Sequence, residues 1–371
     1  MNEQHDSRPR VRVAVVFGGR NSEHAVSLMG AGSVLAAIDR SRYDVIPIGI
    51  ATDGRWVLAA DDQRFEIEGG ELPSVAESGT ALALPSGEGE LIALDAGRIP
   101  ASLGEVDVVF PMLHGPFGED GTIQGLLEMA GVRYVGSGVL ASAVGMDKAY
   151  MKAVMAAAGL PVGPYVVVRD RDWRLERERV LKDVEALGWP VFVKPSRAGS
   201  SQGISRAGDV EELVRAVEFA REHDPKVLIE AAIEGREIEC AVLQSPGDAP
   251  PTASVPGEVL VEGDHDFFDF SAKYIGSDMS LAVPADIPPA VCEELQALAV
   301  RAFEALGCEG LSRVDFFYTP SGGLVFNEIN TMPGFTAMSV APQLWAASGL
   351  PYASLVDRLI QLALERPPGL R

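Results

Sequence analysis

Leu311-Ser-Arg-Val-Asp-Phe-Phe-Tyr-Thr-Pro-Ser-Gly-Gly-Leu-Val-Phe-Asn-Glu-Ile-Asn330 reads as two β-strands joined by the turn Pro320–Gly323. Side chains alternate between the faces of a strand. Arg313, Asp315 and Phe317 therefore share one face, and Phe326, Glu328 and Asn330 share one on the return strand. With Ser321-Gly322 at the centre of the turn, Asp315 falls opposite Glu328 and Arg313 opposite Asn330. Two carboxylates placed opposite each other repel, and cost stability unless a cation lies between them. An oxygen-only set of Asp, Glu and Asn suits Mg²⁺, which takes one or two carboxylates together with waters and phosphates. Solvated charges on the outer face of an edge hairpin are the alternative. The flanking Phe316, Phe317 and Phe326 favour burial, and with it the metal.

Working outward, Val191-Phe-Val-Lys-Pro-Ser-Arg-Ala-Gly-Ser-Ser-Gln-Gly203 is a strand that runs into a glycine-serine loop. Such a loop can close backbone N–H groups on phosphate oxygens while Lys194 adds a point charge. It lacks the Walker A order. Taken alone, it is equally an ordinary strand-to-loop connection. Phe17-Gly-Gly-Arg-Asn-Ser-Glu-His-Ala-Val-Ser27 has the form of a strand-turn-helix anion site, without the third glycine of a dinucleotide fingerprint. Glu23 there either complements the helix dipole or grips a substrate ammonium. His114-Gly-Pro-Phe-Gly-Glu-Asp-Gly121 follows a strand, where α/β sheets place ligands, although His114 alone would more often be structural. Gly263–Ser280 is a long loop with four aromatics and a lysine, the pattern of a lid.

The order of elements is strand, glycine turn and helix from Val11 to Ile38, then strands at Val45–Ile50 and Val106–Met112, a helix at Gly121–Ala130 and a strand at Val132–Val135. Continuous apolar strands alternating with helices indicate a buried parallel sheet. Between them, Ala51–Gly104 reads as surface hairpins and loops without functional content. A helix at Met146–Ala158, a strand at Tyr165–Val168, a helix at Arg174–Leu187, a helix at Val210–Glu222 and a strand at Val227–Ile233 complete a small α+β unit. A third unit opens at Glu237–Leu243 and holds a helix at Ala290–Leu306 and the hairpin. The expected division is 1–138, 139–234 and 235–371.

The chain has 371 residues, a length suited to two or three domains. A net charge of −22 disfavours a nucleic-acid grip or docking on an anionic membrane. Only six of the 31 basic residues are lysines (148, 152, 182, 194, 226, 273), so a lysine inside a motif is informative. Three separated cysteines form no CxxC pair, which argues against a disulfide framework or a thiolate metal site. Met1–Arg10 is polar, and no run reaches the roughly 18 apolar residues of a membrane span. A cytoplasmic location is expected.

Together these residues resemble the ATP-grasp carboxylate–amine ligases, most closely their D-alanine–D-alanine ligase family. The likeness covers nearly the whole chain and rests on seven motifs in order: FGGRNSEHAVS, LHGPFGEDG, MDK at 146–148, VFVKPSRAGSSQG, FFDFSAKY, SRVDFFY and FNEINTMPGFT. It implies α/β and α+β units in a three-domain ATP-grasp architecture behind an N-terminal parallel-sheet domain. It further implies ATP with two Mg²⁺ ions (Mn²⁺ as a substitute), D-alanine as substrate, and a homodimer without nucleic-acid or membrane partners.

Carried over residue by residue, Lys148 and Lys194 contact ATP phosphates, and Ser200 and Ser201 belong to the phosphate-covering loop. Glu230 and the backbone at Ile233 read adenine, with Phe317 beside the nucleotide and Glu237 on the ribose. Lys273 reaches the γ-phosphate from the lid, and Tyr274 links through Ser200 to Glu23. Asp315, Glu328 and Asn330 hold the metal. Arg313 and the Gly334 N–H form the oxyanion site, while His114 and Ser339 serve the substrates. Ala231 stands where some members have a lysine near adenine, which leaves a backbone contact there.

Close rivals are a D-alanine–D-lactate or D-alanine–D-serine ligase. Tyr274 favours the dipeptide enzyme, since the family's other variants tend to place a different residue there. A non-catalytic nucleotide-binding module would have lost a metal ligand or a phosphate lysine. A dinucleotide-dependent oxidoreductase would need the complete glycine fingerprint and a ribose-binding acid, which FGGRN does not supply.

Overall fold

Val11–Gly18 (β1) sends alternate side chains into two different cores: Val13, Val15 and Phe17 into one, Ala14 and Val16 into the other. A strand packed on both faces is what the uninterrupted apolar run Val13–Phe17 requires. The computed structural model describes residues 10–60, 62–76, 79–83, 89–94, 100–199, 202–261 and 279–367. The first unit continues with α1 (His24–Ala37), β2 (Tyr43–Ile50), β3 (Trp56–Leu58), β4 (Ala81–Ala83), β5 (Glu90–Leu94), β6 (Ala101–Glu105), β7 (Val108–Met112), α2 (Thr122–Met129) and β8 (Arg133–Tyr134). Strands β2, β1, β7 and β8 are parallel neighbours, as the sequence leads one to expect.

The interval Ala51–Gly104 does more than the sequence suggests. Strands β3 to β6 extend the sheet antiparallel, to the order β6-β5-β4-β3-β2-β1-β7-β8. Leu82, Leu91 and Ala93 join the same core as Val16. Segments of three to five residues carry too few alternations to be read singly as core strands.

A second sheet has the order β11-β10-β12-β9 and is antiparallel throughout. Its region runs from α3 (Val139–Met146) and α4 (Lys148–Ala157) through β9 (Tyr165–Arg169), α5 (Asp170–Leu175), α6 (Arg177–Glu185), β10 (Val191–Pro195), β11 (Ser205–Ala207), α7 (Val210–His223) and β12 (Lys226–Ala231). Helix α3 is an element the sequence reading left out. The single helix expected at Arg174–Leu187 is two, parted at Glu176, whose backbone leaves the helical region at φ −131° and ψ 33°. No Gly or Pro signals that break.

The third sheet contains β13 (Arg236–Leu243), β14 (Thr252–Ala253), β15 (Gly257–Val261), β16 (Met279–Ala282), β17 (Leu311–Tyr318) and β18 (Leu324–Asn330), in the order β16-β15-β13-β17-β18 with β14 on β13. Helix α8 (Pro289–Leu306) covers it together with α4. Helices α9 (Val340–Ala347) and α10 (Tyr352–Glu365) then return to the first sheet, so Leu355, Val356 and Leu359 share a core with Val13 and Phe110. Tyr43 O–H donates to Asp357 Oδ1 at 2.6 Å, and Gln361 Nε2 donates to Tyr43 at 2.7 Å. These partly buried bonds tie α10 to β2.

In the β17–β18 hairpin, Arg313 pairs with Asn330 and Asp315 with Glu328, as read from the sequence. Nearer the turn the register slips by one residue, so Phe316 pairs with Phe326. Phe326 thus lies on the core face with Phe316, their rings 6.0 Å apart, and not on the face of Glu328. Asn327 is the extra residue of a β-bulge. Outside contacts hold it: Phe326 N–H donates to Pro161 O at 2.7 Å, and Lys152 Nζ to Asn327 O at 3.0 Å. Because Phe326 fills the core, Phe326→Ala should lower the unfolding free energy by about 3–5 kcal/mol. Val325→Ala, on the half-buried face, should cost clearly less; urea unfolding of the two variants checks the bulge assignment.

Candidate active site

A cleft of about 670 Å³ opens between the three sheets, a size that encloses small-molecule ligands. Its floor is one rung of the third sheet. Glu239 pairs with Asp315 and Asp315 with Glu328, so three carboxylates stand side by side across β13, β17 and β18. Arg313 answers them. Its Nε and Nη2 donate to Asp315 at 2.8 and 2.7 Å, and Nε lies 3.0 Å from Glu239. Burial opposes the charge on Arg313, but Asp315 and Glu239 raise its pKa well above the ordinary value. Glu328 has Lys148 Nζ at 3.7 Å.

Among the described residues no three Asp, Glu, His or Cys side chains converge as a finished metal shell. Asp315 is turned onto Arg313 instead. The donor chemistry still suits a hard cation: Asp315, Glu328 and Asn330 offer oxygen alone, on neighbouring positions.

Lys148 is set by its surroundings. Asp147 caps α4, accepts from Ser196 Oγ at 2.9 Å, and is ion-paired with Lys226. The Lys148 N–H donates to Ser196 O at 2.9 Å, and its Nζ to Ala198 O at 3.0 Å. The start of α4 and the loop after β10 are therefore one unit. Lys194 and Glu230 sit diagonally across β10 and β12, with Lys194 Nζ 2.7 Å from the carboxylate. Burial alone would raise the pKa of Glu230, but the ammoniums of Lys194 and Lys152 hold it down at about 2. Ile233, Glu237 and Phe317 line the same end of the cleft, with Glu237 opposite Phe317 in the ladder.

At the other end two turns lock together. Asn21 Nδ2 donates to His114 O and Pro116 O, both at 2.6 Å, while Asn21 Oδ1 accepts the Glu23 N–H at 2.9 Å. Gly18, at φ +94°, is needed there because a Cβ would fall 2.3 Å from Ile50 O. His114 Nδ1 contacts Met332 O at 3.1 Å, leaving a buried Nε2 without a partner among the described residues. Burial pushes the His114 pKa down against the pull of Glu23, so the ring is held neutral. Gly199 brings the loop after β10 against Glu23: a Cβ there would lie 2.4 Å from Glu23 Oε1, so the carboxylate would have to move aside. Gln202 Nε2 donates to Ser22 Oγ at 2.6 Å. Gly334 and Ser339 close this side, with the Ser339 Oγ accepting from Thr336 N–H at 3.0 Å.

Of the residues singled out in the sequence, Glu23, His114, Lys148, Lys194, Glu230, Ile233, Glu237, Arg313, Phe317, Glu328, Asn330, Gly334 and Ser339 line this one cleft. Asp315 is not among the lining residues; it is buried on the rung between Glu239 and Glu328 and turned onto Arg313. Ser200, Ser201, Lys273 and Tyr274 lie outside the described residues.

Three groups were missed. Glu239 is two residues from Glu237 on the same strand face, which period-two reading would have found. Lys152 lies one helical turn after Lys148, an i, i+4 spacing that places both on one face. Glu119 sits inside LHGPFGEDG, a motif noted for its glycines. Its carboxylate accepts from Gly115 N–H at 2.9 Å. Burial, then the neighbouring Glu23 carboxylate, push its pKa from 4.5 up to about 8.

The folded pKa of Glu119 exceeds the unfolded one, so its contribution to stability falls as pH rises through that window. Relative to the parent, Glu119→Gln should gain thermal stability between about pH 5 and about pH 8. Melting curves at the two pH values check it; parallel changes in both proteins would contradict a protonated Glu119.

Comparison with known proteins agrees with this geometry. Residues 12–137 match the family model described as D-ala D-ala ligase N-terminus, and residues 154–361 match D-ala D-ala ligase C-terminus. A D-alanine–D-alanine ligase of Arthrobacter sp. (strain FB24) is 59% identical over 365 residues, 97% of this chain and 96% of that one. The D-alanine–D-alanine ligase structure from Coxiella burnetii superposes with a TM-score of 0.78 at 34% identity, covering 97% of this chain and 95% of that one. VanG, a D-Ala:D-Ser ligase from Enterococcus faecalis, gives 0.81 at 36% identity, covering 96% of this chain and all of the other. The chain belongs to the D-alanine–D-alanine ligase family and has its ATP-grasp architecture.

Proposed function

We infer that this chain joins two D-alanines into D-alanyl-D-alanine, driven by ATP, for peptidoglycan precursor synthesis. The observation that carries the reading is the carboxylate rung Glu239–Asp315–Glu328, answered by Arg313 and Lys148 at the foot of a cleft that also holds Glu23 and His114. The near-full-length identity of 59% to a dipeptide ligase, against 36% to a D-Ala:D-Ser ligase, favours D-alanine as the second substrate.

A carboxylate is a poor electrophile, so one D-alanine must first be phosphorylated on its carboxylate by ATP. Lys148 and Lys194 neutralise the phosphate chain, mostly a matter of positioning and electrostatics. Asp315, Glu328 and Asn330 would hold Mg²⁺, which when bound would supply further charge neutralisation at the phosphates. Glu230 and the backbone at Ile233 receive adenine, Phe317 lies beside it, and Glu237 takes the ribose. Glu23 anchors the first ammonium, with neutral His114 beside it.

The amine of the second D-alanine, held by Ser339, then attacks the acyl phosphate. Arg313 and the Gly334 N–H stabilise the oxyanion that develops. Lys273 and Tyr274, with Ser200 and Ser201, close the site against water.

We propose in the same reading Mg²⁺ or Mn²⁺ as the metal, a homodimer, a cytoplasmic location, and units bounded at residues 138 and 234. Among the described residues no helix is long and apolar enough to cross a membrane.

Release of ADP with ATP, Mg²⁺ and D-alanine, each omitted in turn, tests the activity. The reading expects ADP release to need all three, with dipeptide identified by mass spectrometry. Release only when D-serine or D-lactate is added would transfer the chain to the rival specificity. Arg313→Lys keeps the charge that steadies the rung but loses the two-pronged donor, so kcat should fall by about 10²-fold or more. An unchanged kcat would remove Arg313 from the oxyanion site.

A further inference from the structure

The carboxylate of Glu230 is bracketed by two ammoniums, one on each oxygen. Lys152 Nζ lies 2.6 Å from Oε1 and Lys194 Nζ 2.7 Å from Oε2. The two lysines are not equivalent. Lys152 is 3% exposed and is also tied to the Asn327 carbonyl at the β-bulge, at 3.0 Å. Lys194 is 16% exposed; both lysines line the cleft, but only Lys152 has the carbonyl anchor among the described contacts. Of the two ammoniums that share Glu230, Lys194 is the more exposed.

We propose that Lys152 is a positioning residue: it is the fixed counter-ion that keeps Glu230 ionised and aimed at the adenine amine when Lys194 turns to the nucleotide phosphates. A buried carboxylate is costly to leave unpaired. Without Lys152, Glu230 would hold Lys194 back from the phosphates. It would otherwise lose the charge and orientation that let it accept an N–H from adenine. The Asn327 carbonyl gives Lys152 a second anchor that ligand binding does not remove, which is why the bulge and the nucleotide end of the cleft belong to one device. This rests on the reading of Glu230 as the adenine partner.

The test uses the full chain and compares ATP with GTP, whose base has a carbonyl oxygen where adenine has the amine. Lys152→Met removes charge and donor. Lys152→Gln removes the charge but retains a donor for the Asn327 carbonyl, so that the bulge survives if the first variant fails to fold. Both should raise KM for ATP about tenfold or more and narrow the preference for ATP over GTP. KM for D-alanine should stay within about twofold, since the lysine touches the nucleotide end alone.

Glu230→Gln serves as the control, because its amide N–H can donate to the guanine oxygen and should also narrow the preference. If Glu230→Gln narrows it and folded Lys152→Gln leaves it unchanged, Lys152 has no positioning role and the proposal is overturned. If Glu230→Gln itself changes nothing, the adenine reading of Glu230 fails, and the proposal fails with it by a distinguishable route.

Discussion

Three carboxylates on one rung of a sheet can stand together only if cations stand against them. Glu239, Asp315 and Glu328 repel across β13, β17 and β18, and most of the cleft can be understood as the answer to that repulsion. Arg313 projects from the same strand as Asp315 and takes two of the acids with one planar fork. Lys148 faces the third from another element, and its position depends on Asp147, Ser196 and Lys226, none of which touches the rung.

Such a site needs rigid neighbours, because elements from three sheets meet in it. The shared core of β1, β7 and α10 fixes the first sheet against the end of the chain, with Tyr43, Asp357 and Gln361 as a partly buried polar tie. Asn21 fastens the FGGRN turn to the HGPFGED turn, and His114 reaches over to Met332 in the loop after β18. These contacts place Glu23 and His114 opposite the rung. The loop after β10 comes against the Glu23 carboxylate at Gly199.

Much of this was legible from residue types and spacing. The pairing of Asp315 with Glu328 was read as it stands, but it comes about through the bulge, since the register at the turn alone would set Asp315 opposite Asn327. The buried parallel sheet followed from apolar strands. The slip at Asn327 was not legible, because its causes lie elsewhere in the chain: a carbonyl at Pro161 and the ammonium of Lys152 draw the backbone out of register. Strands β3 to β6 were hidden by their shortness, and the break at Glu176 by the absence of Gly or Pro. Glu239 and Lys152 carried a strand-face and a helix-face signal that was not followed, whereas Glu119 carried none. Each becomes notable through burial beside another charge, which is a property of three-dimensional packing.

The central claim is that the rung and its cations serve transfer of a phosphoryl group to a D-alanine carboxylate. Its most direct test is to supply D-alanine labelled with oxygen-18 in the carboxylate, together with ATP and Mg²⁺, and to follow the label. Phosphorylation of the carboxylate followed by attack of the second amine carries one labelled oxygen from D-alanine into inorganic phosphate for each dipeptide formed. Unlabelled phosphate beside new dipeptide, or AMP in place of ADP, would contradict the account.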